Sequence, residues 1–392
     1  MGKWERKRSN GLVVGFRAWH IKLKAAITLL NVSLVTFKNP FVALKALKML
    51  AGQRKRLHGY KHDHKIVHFK SKYYWSIYLP GFPSQGFKDI IQREILKAFN
   101  SKEVQVPLQT LILSISSKCH YKCEHCFEGE NLSSKEYLSY SDLKKVMDDS
   151  LKNGIRHMQI GGGEPMLRMD DLLQLMEPAK GIIDFWLSTS GYGLTYEKAV
   201  ALKNHGLVGA TISLDHWNKE KHNSFRNHPG AWDWALKAVK NCHAAGIIPN
   251  LTICVTREMA NKKDLWKYME LARELDVPFV RFLEARKAGN YARKDVLLRE
   301  DEYKEVTDFY LMMNSSRLYR SYPIIQFPGY HQRITGCFGG GNRYLHIDAR
   351  GNYHGCPFCR GVAGNISTMP LITATSILQK QGCHLFQTNH HV

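Results

Sequence analysis

The sequence predicts an α/β chain built around an open, partial barrel of six strand–helix units, with a basic helical extension before it and a Cys-rich region after it. Three observations carry that prediction. From Leu108 to about Asn290, β-prone and amphipathic helical segments alternate, which implies a parallel sheet with right-handed crossovers. Residues 1–75 hold 17 Lys and Arg against 2 acidic residues, most of the formal charge of +22. Six of the nine cysteines fall in two tight groups, the usage of a reduced compartment with metal sites and not of a secreted disulfide scaffold. At 392 residues and 44% hydrophobic, the chain has material for a large core, and global disorder is excluded. The divisions expected are an extension at 1–107, the barrel at 108–290, a linker with a helix at 291–328, the Cys-rich domain at 329–386 and a tail at 387–392.

The extension is the least regular part. Ala25 to Phe37 is uncharged but only 13 residues long, too short to span a bilayer. Asn39-Pro40 reads as a helix start, followed by Phe41, Leu44, Leu47 and Leu50 at helical spacing beside Lys45 and Lys48. Such a basic amphipathic segment either lies on an anionic membrane surface or packs on the protein's own body. Nucleic acid is not expected as a partner, since only charge would argue for it. A Pro/Gly-rich turn, Pro80 to Gly86, precedes a helical pattern through Ile90, Ile91, Ile95 and Leu96. No cleavable signal peptide is expected, and a cytoplasmic location, peripheral at the inner face of the membrane, fits this composition.

The barrel strands are expected at Leu108–Ser116, Arg156–Ile160, Ile182–Thr189, Leu207–Leu214, Ile247–Val255 and Val277–Leu283. Helices are expected at Ser141–Asn153, Asp170–Lys180, Thr195–His205, Ala231–Ala245 and Lys262–Leu275, and a further one at Asp301–Met313. In a TIM-type arrangement the chemistry sits at the C-terminal ends of the strands. Directly past the first strand come Cys119, Cys123 and Cys126. Three thiols leave a four-ligand site one short; His120 or His125 would complete it in a zinc knuckle. After the second strand comes Gly161-Gly162-Gly163-Glu164-Pro165, whose glycines admit close approach to the backbone. The third strand ends in Ser188-Thr189-Ser190-Gly191, and the fourth in Ser213-Leu214-Asp215. Alone, Ser190 or Asp215 would read as a helix N-cap; together these groups suit ribose hydroxyls and the charged ends of an amino acid.

In order and strand placement these motifs resemble the radical S-adenosylmethionine (radical SAM) enzymes over about residues 108–290. The resemblance implies that Cys119, Cys123 and Cys126 hold three irons of a site-differentiated [4Fe-4S] cluster, with S-adenosylmethionine on the fourth. It implies that Gly162, Gly163 and Glu164 meet the methionine end through backbone and carboxylate. Ser190, Ser213 and Asp215 would lie near the ribose or methionyl carboxylate. Arg226, in a loop running from His222, would bind that carboxylate or form a surface salt bridge. His125 stands where the family usually has an aromatic residue and would face adenine.

Cys337, Cys356, Cys359 and Cys383 resemble the SPASM or twitch domains that follow the barrel in many such enzymes. They imply one auxiliary [4Fe-4S] cluster, with Cys383 the least certain ligand and zinc the alternative. Cys242 and Cys254 read as core thiols, and His390 and His391 as tail. The resemblance implies a ferredoxin- or flavodoxin-type reductant and hydrogen abstraction from a substrate. A peptide or protein is the first expectation and a lipid or membrane-bound molecule the second. A non-catalytic zinc- or cluster-binding protein is the reading from another class.

Overall fold

The computed structural model describes residues 11–58, 65–99, 108–359, 361–383 and 386. The tail expected at 387–392, with His390 and His391, lies outside them.

The extension opens with β1 (Leu12–Val13), α1 (Gly15–Phe37), α2 (Pro40–His58), β2 (Ile66–Phe69), β3 (Lys72–Tyr74) and α3 (Gln85–Phe99). The helix start at Asn39-Pro40 is real: the Asn39 side-chain oxygen accepts from the amides of Phe41 (3.0 Å) and Val42 (3.3 Å). Lys38, in the left-handed region at φ 53°, ends α1. The expectation of a 13-residue apolar run is corrected, because α1 is one helix of 23 residues that carries Arg17, His20, Lys22 and Lys24 in its first half. By length and composition it is sufficient to cross a membrane. The extension also contains a three-stranded antiparallel sheet, β1-β2-β3, which the helical reading missed. Its strands are short and lack a run of alternating residues, so no period-2 signal was available.

The core begins with β4 (Thr110–Ser116), α4 (Tyr140–Lys152), β5 (His157–Gly162), α5 (Met169–Met176), β6 (Asp184–Thr189), α6 (Tyr196–Asn204) and β7 (Leu207–Ser213). Then come α7 (Lys219–Arg226), α8 (Ala231–Ala245), β8 (Ile248–Val255), α9 (Lys262–Glu274) and β9 (Phe279–Glu284). These six strands pair in parallel and in chain order, so β4 to β9 form the expected partial barrel. Leu111, Leu113, Met158, Ile160, Phe185, Leu187, Leu251 and Phe282 are fully buried in its core. The helix ends are set by punctuation. Ser139 makes a capping box with Asp142 at the start of α4, and Gly246 at φ 71° ends α8. The helix expected at Asp170–Lys180 stops at Met176 and continues as a short 3₁₀ turn, because Pro178 cannot extend the ladder.

After the barrel, α10 (Glu300–Ser315) precedes β10 (Ile324–Gln326), which adds in parallel beside β9. The segment expected as a linker thus extends the sheet. Next come α11 (Pro328–Thr335), β11 (Tyr344–Ile347), β12 (Asn352–His354), β13 (Val362–Asn365) and α12 (Leu371–Gln381). β11 pairs in parallel with β4, and β12 and β13 follow antiparallel, giving one ten-stranded sheet in the order β10-β9-β8-β7-β6-β5-β4-β11-β12-β13. The Cys-rich region is therefore joined edge-on to the barrel's first strand.

The small N-terminal sheet closes the opposite end. Val67, Phe69, Tyr74 and Ile77 pack against Trp186, Ile248, Phe279 and Ile324, at or near the starts of the parallel strands. α3 is tied to the β4–β11 side by the Arg343–Glu94 pair and by the Gln109 amide donating to Glu94 (2.8 Å). α2 packs against α11, which follows β10. The extension thus bridges the open seam between the two sides of the partial barrel.

Candidate active site

The loop after β4 is held from three directions before any ligand is considered. Gly163 donates its amide to Ser116 O (2.7 Å) and Glu164 to Lys118 O (2.7 Å). A Cβ on Gly163 would lie 2.1 Å from Lys118 O, and Gly162, at φ 129°, would place one 2.5 Å from Ser116 O. The glycines therefore serve a close backbone-to-backbone approach, and the Gly163 amide is taken up within the chain. From β9's far side, Asn290 donates its amide to Cys126 O (3.0 Å) and its side chain to Cys123 O (2.9 Å). Glu136 accepts from Ser116 Oγ (2.8 Å) and from the amide of Ser117 (2.8 Å). Neither Asn290 nor Glu136 was singled out by sequence; Asn290 sits in a short 3₁₀ turn, Gly289–Tyr291, and Glu136 in an irregular loop, and only the Gly289-Asn290 turn carried a local signal.

Glu164 is buried and saturated. It accepts from Thr189 Oγ1 (2.7 Å) and the amide of Met166 (3.2 Å) on one oxygen, and from Ser190 N (2.9 Å) and Ser190 Oγ (2.5 Å) on the other. Burial raises its pKa despite those donors. The carboxylate fastens the end of β6 to the end of β5. Ser190 and Asp215 are not helix caps: α6 is capped by Thr195 and α7 by Asn218.

Arg226 is the last residue of α7, a helix where a loop was expected. It pairs with Asp215 through Nε (2.5 Å), and its Nη1 reaches Cys123 Sγ at 3.6 Å. The pair is buried, which corrects the surface salt bridge. Asp215 also accepts from the amide of Cys254 (2.9 Å), and its own amide donates to His222 Nδ1 (3.0 Å). Burial, the largest single influence, would raise the Asp215 carboxyl, yet the Arg226 guanidinium together with His125, His222 and the Cys254 amide outweighs it and holds it below the usual range. His125 stacks on Phe225, with centroids 4.4 Å apart and planes within 8°. Burial lowers its pKa to about 4, so the ring is neutral. Burial likewise pushes the Cys119 and Cys126 thiols up to about 12.

The second thiol set flanks the hairpin of β11 and β12, with Cys337 before it and Cys356, Cys359 and Cys383 after it. Cys356 and Cys359 lie with sulfurs 3.3 Å apart, and the free thiol of Cys383 is within hydrogen-bond reach of both Cys337 and Cys359. The four expected thiols are thus linked pair by pair, Cys383 included. A buried polar bridge joins this set to the first loop. Ser114 Oγ donates to Glu128 (2.7 Å), His346 lies 3.2 Å from the same carboxylate, and His354 lies 3.0 Å from Asp348. Phe127 packs edge-on against Phe358, with centroids 6.0 Å apart.

One cavity of about 1590 Å³ is lined by both thiol sets and by Gly162, Gly163, Ser190, Ser213, Asp215, Arg226 and His125. Glu164 is absent from that lining. Cys242 is a fully buried core thiol as expected, whereas Cys254 faces the cavity. Gln159, Arg281, Glu284 and Arg286 also line it; as single polar residues in or next to strands, they carried no motif. Among the described residues, no group of three or more His, Cys, Asp and Glu side chains is drawn together as ligands of a single ion. Three thiols on one tight loop, beside a neutral planar ring and strand-end hydroxyls, fit a thiolate-held cluster with a nucleoside-like partner.

Comparison with known proteins agrees with this geometry. Residues 113–272 match the family described as the radical SAM superfamily. A GTP 3′,8-cyclase of Aliarcobacter butzleri is 30% identical over 203 residues, 50% of this chain and 61% of that protein. The mycofactocin maturase MftC of Mycolicibacterium smegmatis is 26% identical over 268 residues, 65% of this chain and 67% of that protein. Among solved structures, Streptococcus suis SuiB bound to its precursor peptide SuiA superposes with a TM-score of 0.56 at 15% identity, over 74% of this chain and 70% of that one. The anSMEcpe structure with bound AdoMet gives 0.53 at 20% identity, over 68% and 80%. The chain spans 58–62% of the length of the Aliarcobacter, Hydrogenovibrio and Thermodesulfovibrio cyclases it matches.

Proposed function

We propose, from the premise that this chain belongs to the radical SAM superfamily through residues 113–272, that it abstracts a hydrogen atom from a substrate seated between its two thiol sets. The observation that carries this is the single cavity reached by both sets and by the strand ends that suit S-adenosylmethionine. Cys119, Cys123 and Cys126 would hold the site-differentiated [4Fe-4S] cluster, and Cys337, Cys356, Cys359 and Cys383 an auxiliary one. When bound, the cluster and S-adenosylmethionine supply a 5′-deoxyadenosyl radical able to attack an unactivated C–H bond. The chain's own part is placement. Arg226 reaches Cys123 Sγ and is itself fixed by Asp215, and Glu164 locks Ser190 at the cavity wall. The barrel and its seam cover keep water from the reacting atoms. A ferredoxin- or flavodoxin-type protein would supply the electron.

For the substrate, a peptide or protein side chain is the reading supported by the names of MftC and of SuiB with its precursor peptide. A second reading, a lipid chain, is favoured by one observation: α1 and α2 contribute an apolar wall to the same cavity. That placement also supports a peripheral site on a membrane surface. Anaerobic purification with iron, sulfide and zinc analysis, followed by a 5′-deoxyadenosine assay, tests the chemistry. Iron and sulfide with reductant-dependent 5′-deoxyadenosine are expected. Zinc without sulfide would instead mark a non-catalytic zinc-binding protein.

A further inference from the structure

α1 and α2 have two unlike apolar faces. The outer one is a stripe: Phe16, Leu23 and Ile27 stand at helical spacing and are 44–79% exposed, Phe41 on α2 is 82% exposed, and Trp19, 55% exposed, stands at the stripe's edge and also lines the cavity. Helices of a soluble body turn such residues inward, and a contiguous exposed stripe marks a contact surface. The charge around it has one sign. No Asp or Glu occurs between Gly15 and His58, while Arg17, Lys24, Lys38, Lys45 and Lys48 are exposed. An all-cationic rim around an apolar stripe complements anionic headgroups above acyl chains.

The inner face is the wall of the candidate site. Ala18, Ala25 and Leu29 of α1, Leu47 and Leu50 of α2, and Ile91 of α3 line the cavity that also holds the thiols, with Lys22 and Lys55 the charged residues these two helices add to that wall. Its volume of about 1590 Å³ exceeds the ~300–1,000 Å³ of ordinary ligand pockets, leaving an apolar arm beyond the polar rim. α1 does not cross the bilayer on this reading. Ala18, Ile21 and Ala25 are buried against the body, and Ser33 Oγ donates to Ala43 O (3.0 Å), clasping α1 to α2.

We propose that the α1–α2 pair seats the enzyme on an anionic bilayer by its outer stripe and admits a hydrocarbon chain from that bilayer along its inner face to the radical site. The proposal rests on the lipid reading above and names its binding surface. The seated lipid is an anionic one with at least one long acyl or alkyl chain.

The test uses the full chain with its clusters intact. Phosphatidylglycerol-rich vesicles are expected to float the protein and phosphatidylcholine vesicles to leave it behind. A Leu23→Glu/Ile27→Glu variant, altered only at exposed positions, should lose flotation while keeping its iron–sulfur absorbance. Dansyl-labelled undecanoic acid should bind the wild type with blue-shifted emission. Ala25→Trp, which fills the arm, should weaken that binding about tenfold, or about 1.4 kcal/mol; Leu29→Trp serves if Ala25→Trp misfolds. Equal flotation with both vesicle types, or none with either, would overturn the proposal. So would a dimer that the Leu23→Glu/Ile27→Glu change dissociates, since a second copy would then own the stripe. Probe binding indifferent to both tryptophans would overturn the inner half. Formation of 5′-deoxyadenosine in detergent is read separately: its presence alongside failed flotation rejects this surface but leaves the radical chemistry standing, and its absence rejects the chemistry itself.

Discussion

The two ends of the barrel are closed by opposite means. At the C-terminal rim, polar groups saturate one another: Glu164 holds Thr189 and Ser190, Asp215 holds Arg226, and Arg226 reaches Cys123. At the base, a distant segment plugs the strand starts with Val67, Phe69, Tyr74 and Ile77. The rim is specified by short motifs, each within a few residues of one strand end. The base is specified by contacts between residues more than a hundred positions apart, such as Lys65 Nζ on the carbonyls of Tyr322 (3.0 Å) and Pro323 (3.2 Å). Changes at the rim should therefore cut activity first, and changes at the base stability first.

The largest effect is expected from Cys123→Ala, which removes one of three thiols from the loop and should drop 5′-deoxyadenosine to background by chromatography. Cys356→Ala should instead lose the iron of the auxiliary set and keep uncoupled cleavage of S-adenosylmethionine within about tenfold, a barrier change of ~1.4 kcal/mol. Equal loss from both would mean that the two sets act as one unit.

Asp215→Ala should come next. It strands the Arg226 charge in a buried site, and breaking such a pair by removing one partner costs about 3–5 kcal/mol. A thermal melt should show it together with loss of activity. Asp215→Asn with unchanged melting would indicate that the guanidinium finds a second partner.

These rim residues were legible because each motif is local: cysteine spacing, consecutive glycines and strand-end hydroxyls can be read without knowing the fold. What such reading did not supply was direction. Gly163 faces Lys118 O and Glu164 faces β6, and no spacing tells a cofactor from a neighbouring strand end as the partner of a carboxylate. Arg226 was placed in a loop because Lys219–Arg226 is a polar eight-residue helix with no apolar periodicity to reveal it. The joining of β11 to β4 and the N-terminal plug depend on long-range pairing, to which a local pattern is blind.

Glu164→Gln sharpens the same point on a smaller scale. Each carboxylate oxygen accepts two donors, so an amide nitrogen in place of either one faces two N–H or O–H groups. Unsatisfied groups of that kind cost about 1–3 kcal/mol. Activity should fall with stability in proportion, since the change loosens Ser190 at the cavity wall without touching a thiol.

The base offers the counterpart through His157, fully buried at the start of β5. Its Nε2 lies 2.8 Å from Ile77 O and so carries the proton, and its Nδ1 has no partner. Burial lowers its pKa from 6.5 to about 4, the charge of Asp184 offsetting only part of that. In the unfolded chain the ring takes up a proton as pH falls below 6.5, while in the folded chain it stays neutral down to about 4. The unfolded state therefore binds more protons across that window, and stability declines as pH falls through it, at up to about 1.4 kcal/mol per pH unit. His157→Gln keeps a donor for Ile77 O and removes the titration. Its melting temperature should fall less steeply than the wild type's between pH 6.5 and 4, while 5′-deoxyadenosine formation at neutral pH stays close to wild type. Parallel melting profiles would show that the plug at the base does not depend on keeping this imidazole neutral, and that the contrast between the two ends lies in apolar packing alone.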